Sequence, residues 1–439
     1  MPTNKKPIPK NNKQTTKHGV FSFMHHTKKS LESFDIGKFD YVHLKSGSVK
    51  FKSLYGRNSL WKRYLIAIIL GLVMGTVIQF LIKNTGLYNS GLNAIVQGIA
   101  RITNTAMLNS NSEKINNLAP TIFNILFWGL YIVVNIPLFM FARRKIGKTF
   151  ANLTMIFVIV NSLWGFCLSY IPGIDQIFLF GNSIAEGSEA HFANSNNLFV
   201  QKGIYNIPFW YVAHGGVTAA GIEYEDNQIF NPDYDPYKAL LLFIYAIAYG
   251  LASSLGYSIL YIIGGCSAGG DFISIYYSSI KHKPLGGLMI IINSSMMLVG
   301  SIIGSYISAG LVNPQGFSFP FLLSANLVAS FLSVVIFGLL LNRFFPLHRM
   351  VKVEIISEHL IRVRDELFAS QFTHSMTITK GIGAYSMKSK DILWTVCMYI
   401  EVPNLVRHIH KVDENALILV TTISDVDGHM KIYRQGSTD

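Results

Sequence analysis

Charged side chains are scarce: Asp, Glu, Lys and Arg make up 14% of the 439 residues, while half of the residues are hydrophobic. Soluble domains average about 25% charged, so the chain lacks the polar surface to coat a globule of its size. Cysteine is scarcer still. Cys167, Cys266 and Cys397 lie far apart with no CxxC or Cys/His spacing, which speaks against a disulfide framework and a structural zinc site. The thirteen histidines are equally scattered, and we expect no metal and no cofactor. The N-terminal stretch lacks the apolar core and small-residue cleavage site of a signal peptide. No P-loop, nucleophile–base pair or convergent acid–base set is visible, so we expect no enzyme.

The formal charge of +13 is unevenly placed. Residues 1–63 hold fourteen Lys and Arg against Glu32, Asp35 and Asp40, which is +11 of the total. Six stretches are free of Asp, Glu, Lys and Arg and approach the roughly 20 residues that cross a hydrocarbon core: 64–82, 118–142, 150–171, 239–263, 286–310 and 319–341. A bundle of spanning helices follows, because inside lipid each backbone amide must be paired within its own helix or a closed barrel. Lys and Arg cluster in the N-terminal arm, after the second stretch (Arg143, Arg144, Lys145, Lys148), after the fourth (Lys281, Lys283) and after the sixth (Arg343, Arg349). These segments belong inside. Residues 173–238 carry Lys202 and Lys238 against eight acids and belong outside. We therefore expect a multi-pass protein of the bacterial plasma membrane with both termini cytoplasmic. Residues 1–60 form a basic, disordered cytosolic arm drawn to anionic inner-leaflet lipids, at about 1 kcal/mol per basic residue near the surface. Such a run also suits a phosphate backbone, yet its place directly ahead of a spanning helix favours lipid over nucleic acid.

The two halves of the membrane region share an order of parts. Residues 61–172 run apolar helix, GLNAIVQGIARI (91–102), a helix with Asn135, then a third helix. Residues 239–345 run apolar helix, GGCSAGGDFISI (264–275), a helix with Asn293, then a third helix. With three spans each, the halves form an inverted 3+3 repeat of the kind recurrent in secondary transporters. Residues 173–238 form an acidic extracytoplasmic insert, in which 207–222 is apolar but too short for a seventh span. From about residue 350 the pattern becomes β-α-β-β-α-β: strands at 351–356, 374–379, 392–400 and 416–422, and helices at 358–369, capped by Ser357, and 402–412. That order predicts a cytosolic α+β ferredoxin-like domain at 350–435.

Between Asp235 and Glu354 the one carboxylate is Asp271, in SAGGDF at the end of the fourth span. An ionisable group there points to function; a solvated helix cap is the other reading. Gly264, Gly265, Gly269 and Gly270 suit either a broken helix that offers amides to a ligand or close helix packing. Asn135 and Asn293 either line a polar cavity or bond between helices, and Pro137 predicts a kink. In the tail, GIGAY (381–385) is a Gly-rich turn.

NIPLFMFARRKIGKTF (135–150), SAGGDFISI (267–275) and the tail from MTITKGIGAY onward resemble the YitT family of bacterial multi-pass membrane proteins with a cytosolic C-terminal domain. Asn135, Ile136, Pro137 and Gly147 match one family segment, and Ser267, Gly269, Gly270 and Asp271 match a second. Gly381, Gly383, Tyr385, Glu401 and Asp413 match the tail module. One residue between the Gly pair and the acid is missing here, and the arm and acidic insert fall outside the pattern. The resemblance implies architecture and no particular activity. Two functions are open. One is a secondary carrier of a small polar or charged solute or ion, by alternating access about Asn135, Ser267, Gly269, Gly270, Asp271 and Asn293, with Asp271 taking a cation or proton. In that reading the tail senses a ligand at Gly381, Gly383, Tyr385, Glu401 and Asp413, or mediates assembly into a homo-oligomer. The other is a non-transporting sensor or scaffold whose tail binds a metabolite or protein partner. A polar cavity joining the halves favours the first and a dry bundle the second.

Overall fold

The computed structural model describes residues 59–174, 177, 179, 180, 237–281, 285–312, 314, 317, 322–346, 349–370, 372, 374–384 and 387–423. The basic arm, most of the acidic insert, Tyr385 and the chain after 423 lie outside the described residues. Among the described residues, six helices are long and apolar enough to cross a membrane. In chain order the membrane part consists of α1 (Leu60–Lys83), α2 (Leu92–Leu108), α3 (Glu113–Lys145), α4 (Lys148–Leu168), α5 (Tyr237–Ile262), α6 (Gly270–Lys281), α7 (Leu285–Val312) and α8 (Ala325–Phe344). Their apolar side chains point outward: Ile291 is 66% exposed, Leu339 62% and Val133 59%. Gln79, Asn135, Asn161, Asp271 and Asn293 are buried. This arrangement suits lipid, which solvates the apolar exterior and forces polar groups to find partners inside. The chain is a multi-pass membrane protein.

α1 packs on α4, and α5 packs on α8. Both contacts depend on bare backbone. A Cβ on Gly75 would lie 2.8 Å from the Asn161 carbonyl, and one on Gly250 2.9 Å from the Ser333 carbonyl. In lipid, helices associate through such close approach of small residues rather than by hydrophobic exclusion.

α2 and α6 are the two short helices, and each follows an irregular segment. After α1 the chain turns at Gly86, whose carbonyl accepts from Arg101 Nη2 (2.7 Å) and Asn326 Nδ2 (3.1 Å). Gly86 therefore sits level with the second half of α2 and the start of α8. The chain then returns to Gly91, where α2 begins. α2 runs parallel to α7: Gly91 lies against Asn293, Gly98 against Gly300, and Asn109 Nδ2 donates to the Leu311 carbonyl (3.3 Å). α6 runs parallel to α3 in the same way. Gly269 bonds Asn135, Phe272 stacks edge-on with Phe139 (5.5 Å between centroids), and Tyr276 does so with Phe141 (5.3 Å). A Cβ on Gly269 would approach Leu92 Cβ to 2.9 Å. The N-terminal ends of α2 and α6 thus abut, and the helices diverge from that point between α3 and α7.

The tail is a four-stranded antiparallel sheet: β1 (Met350–Ile356), β2 (Met376–Ile382), β3 (Ser389–Met398) and β4 (Leu417–Thr422), in the order β2-β3-β1-β4. Val351, Val353, Ile355, Leu393 and Cys397 form its inner face, covered by Leu360, Val363 and Leu367 of α9 (Leu360–Ala369) and Leu405 and Ile409 of α10 (Val402–Val412). The element order is that expected from the sequence, and the sheet is compatible with a split βαβ unit. One local expectation is corrected. Ser357 does not cap α9, which begins at Leu360 after His359; its hydroxyl accepts from the His359 N–H (3.0 Å) and donates to Asp413 (2.5 Å).

The α2–α7 contact gives a test. A Cβ on Gly98 would come within 2.4 Å of the Gly300 carbonyl oxygen, whereas one on Gly129 meets nothing within 4 Å. Gly98→Ala is expected to destabilise the bundle by about 1–3 kcal/mol, as overpacking does, and Gly129→Ala to leave it unchanged, measured by thermal unfolding of the detergent-solubilised protein.

Candidate functional site

The irregular segments before α2 and α6 both end on a glycine in the left-handed region, Gly91 at φ +64° and Gly269 at φ +60°. Such a turn brings the chain sharply into a helix, and without a Cβ it costs no steric strain. It also leaves backbone groups unpaired within the bundle, and at the second of these turns an asparagine on a long helix compensates. Asn135 Oδ1 accepts from the Gly269 N–H (2.7 Å), while its Nδ2 donates to the Tyr131 carbonyl (2.8 Å). Tyr131 in turn donates its hydroxyl to the Ser267 carbonyl (2.7 Å). Helix α3, in the first half of the chain, thereby holds the irregular segment of the second half. Asn293, on α7 in the second half, lies against the segment of the first: a Cβ on Gly91 would be 2.7 Å from its Oδ1.

Asp271 is in the first turn of α6 and is 4% exposed. The solvated-cap reading is therefore corrected: the carboxylate is buried. Its Oδ2 accepts from Tyr261 Oη (2.6 Å) and from the Ser267 hydroxyl, and Asn293 Nδ2 approaches Oδ1 at 3.5 Å. That last distance is at the limit of a hydrogen bond, so Oδ1 is nearly free. Asp271 and Asn293 line a small cavity of about 20 Å³ together with Asn89, Asn93, Tyr257 and Ser267, among others. Among the described residues, no Lys, Arg or His lines it. Two buried polar atoms of its wall have no hydrogen-bond partner, Asn293 Oδ1 and Asn89 Nδ2. The orientation of the Asn89 amide follows from its other side, where Oδ1 accepts from Tyr249 Oη (2.7 Å) and the Ser90 N–H (2.8 Å).

Asn293 is eight residues into α7 and Asn135 ten residues from the end of α3, or ~12 and ~15 Å along helices that rise 1.5 Å per residue. In a hydrocarbon core ~30 Å thick the cavity is close to the midplane. The facing N-terminal ends of α2 and α6 each carry a partial positive charge, which offsets part of the charge of an ionised Asp271.

The structure brings all six membrane candidates together: Asn135, Ser267, Gly269, Gly270, Asp271 and Asn293. Sequence reasoning missed Asn89, Tyr131, Tyr249, Tyr257 and Tyr261. The tyrosines were hidden among the aromatics of apolar helices, and Asn89 in a segment read only as a connection. The tail candidates occupy three separate places. Gly381 pairs with Lys390 in β2 and β3, and Gly383 closes the hairpin by donating to the Lys388 carbonyl (2.9 Å). At the other end of β3, Glu401 Oε2 accepts from the Met398 N–H (2.9 Å) and pairs with His374 Nε2 (2.8 Å). Asp413 ends α10 ahead of the edge strand β4, where the Ser357 hydroxyl holds its carboxyl below the usual carboxylate range.

Removing the amide in Asn135→Ala leaves the buried Gly269 N–H unpaired, and a loss of about 1–3 kcal/mol is expected in thermal unfolding. In the tail, Ser357→Ala is expected to raise the titration midpoint of Asp413 toward the unperturbed ~3.9, read by NMR of the carboxyl carbon. The wild-type contribution to stability is complete above that value and is lost as pH falls through the lower folded midpoint.

Residues 374–428 match a family model described as "Uncharacterized protein conserved in bacteria (DUF2179)". The chain is 32% identical over 402 residues to "Uncharacterized protein MG432" of Mycoplasma genitalium, covering 90% of this chain and 94% of that one. It is 31% identical over 405 residues to "Uncharacterized protein MG432 homolog" of Mycoplasma pneumoniae, covering 91% and 93%. It is 29% identical over 399 residues to "Uncharacterized protein MG443" of Mycoplasma genitalium, covering 89% and 93%. No solved structure matches the chain. With six spanning helices followed by this C-terminal domain and relatives that align along nearly their whole length, the chain belongs to the YitT-like family of multi-pass membrane proteins.

Proposed function

We propose that the protein is a secondary carrier of a small polar or charged solute or ion, built as an inverted 3+3 repeat and working by alternating access about the cavity at Asp271. One observation carries the reading: a polar cavity close to the midplane is shared by both halves of the chain, each contributing the same kind of part. Gly91 and Gly269 turn the chain into α2 and α6, Asn293 attends the first turn and Asn135 the second, and α1–α4 packing is matched by α5–α8. In transporters of inverted topology, discontinuous helices meet near mid-membrane and their ends serve the transported species. A scaffold has no use for a buried carboxylate beside two unpaired amide atoms, since each is costly in a membrane interior.

The charge distribution supports the orientation in which both termini are cytoplasmic, in the plasma membrane, with the basic arm on the inner leaflet. In that orientation the tail is cytosolic. Its β-α-β-β-α-β order supports a ferredoxin-like fold with a ligand-sensing or assembly role. In alternating access the rigid pairs α1–α4 and α5–α8 rock about the abutting ends of α2 and α6. Asp271 carries a cation or proton through the cycle. Asp271→Asn in proteoliposomes tests this: uptake is expected to fall at least about tenfold, as loss of a charge-assisted contact implies, and to lose its dependence on ion or pH gradients. Unchanged uptake and unchanged pH dependence would remove Asp271 from the mechanism.

A further inference from the structure

From the same cavity, and resting on the reading of it as the working site, we infer that its ligand is a single dehydrated alkali cation, held by Asp271 Oδ1 and Asn293 Oδ1. Size comes first. A space of about 20 Å³ admits one water-sized body, so no organic solute fits the cavity in this state. Ligand type comes next. The unsatisfied Asn293 Oδ1 and the nearly free Asp271 Oδ1 are oxygens, and the tyrosine and serine hydroxyls around them add more. Hard cations take such a set, while nitrogen and sulfur ligands are what transition metals select. A water alone would satisfy Asn293 Oδ1 and Asn89 Nδ2 but would leave a buried carboxylate with no cation beside it, since among the described residues no basic side chain lines the space.

Charge decides between monovalent and divalent ions. Aligning Gly91 with Gly269 sets Asn93 opposite Asp271, two residues past the glycine in each half, and both line the cavity. The second half supplies a carboxylate and the first only a neutral amide. One carboxylate, offset in part by two helix N-termini, is too little for calcium, whose affinity follows the count of charged ligands; it suits a monovalent ion that must also leave.

The experiment uses the full-length protein in detergent at fixed ionic strength, with choline replaced stepwise by sodium, lithium or potassium. Sodium is expected to raise the thermal unfolding temperature saturably. Asp271→Asn and Asn293→Ala are each expected to weaken that response at least about tenfold, while Asn109→Ala, at the far end of α2, keeps it. Asn93→Asp supplies the second carboxylate and is expected to add a response to calcium that the wild type lacks. Binding of radiolabelled sodium to the wild type, competed by unlabelled sodium and not by choline, stands whether or not a variant folds. No response to any alkali cation, a response to pH alone, or an equal sodium response in Asp271→Asn would overturn the inference. Sodium binding without sodium or solute flux in proteoliposomes would sink the carrier reading and leave the site; flux with no alkali-cation binding would do the reverse.

Discussion

The hydrogen bond from the Gly269 amide to Asn135 Oδ1 (2.7 Å) is the interaction on which the membrane architecture turns. A backbone that leaves helical geometry inside lipid exposes N–H and C=O groups that water cannot reach, and such a break survives only where protein atoms pair them. One asparagine does so for the segment before α6. With Tyr131 holding the Ser267 carbonyl (2.7 Å), it ties the irregular chain of the second half to a helix of the first. The abutment of α2 on α6, the placement of Asp271 at their junction and the small cavity all follow from the chain being able to stop, turn and restart as helix at that depth.

Close helix packing supplies the second constraint. Apolar exteriors gain nothing by leaving lipid for a neighbour, so the long helices associate where backbone can touch backbone, at Gly75 on Asn161, Gly250 on Ser333 and Gly98 on Gly300. Contacts of this kind tolerate sliding better than interlocked large side chains do, which suits the rocking we propose. The polar interior is kept narrow by tyrosines: Tyr249 on Asn89 and Tyr261 on Asp271 each direct their hydroxyl at a buried polar group and fill the space around it with a ring. The tail domain is organised on the ordinary logic of a water-soluble sheet, with one face of β1 and β3 buried beneath two amphipathic helices. Its acidic groups are held by local hydroxyls, amides and bases, as Glu366 is by Lys411 and His408.

How much was legible beforehand depends on the range of the interaction concerned. Six spanning helices were readable because an uncharged run of ~20 residues has one physical solution in a membrane, and all six are present with ends shifted by a few residues. The tail's strand and helix order was readable from alternation and from the amphipathic spacing of Val402, Leu405 and Ile409. Asp271, Asn135, Asn293 and the glycines were identifiable because a polar or flexible residue in an apolar run is conspicuous. Ser357 was misjudged because a serine ahead of a charged helix looks like a cap, while its actual partner, Asp413, is distant in sequence.

By itself, then, the sequence determined that this chain carries six helices, among the described residues, that are long and apolar enough to cross a membrane, and after them a small α+β domain, since hydrophobicity and periodicity are local and additive. Tertiary structure alone decided that Asn135 bonds the irregular segment of the opposite half and Asn293 lies against the other, that Asp271 is buried rather than solvated, and that Asn89 and four tyrosines join it. Those facts depend on which helix ends meet. That is set by backbone approach at glycines and by hydrogen bonds between residues more than a hundred positions apart, and no local pattern encodes it.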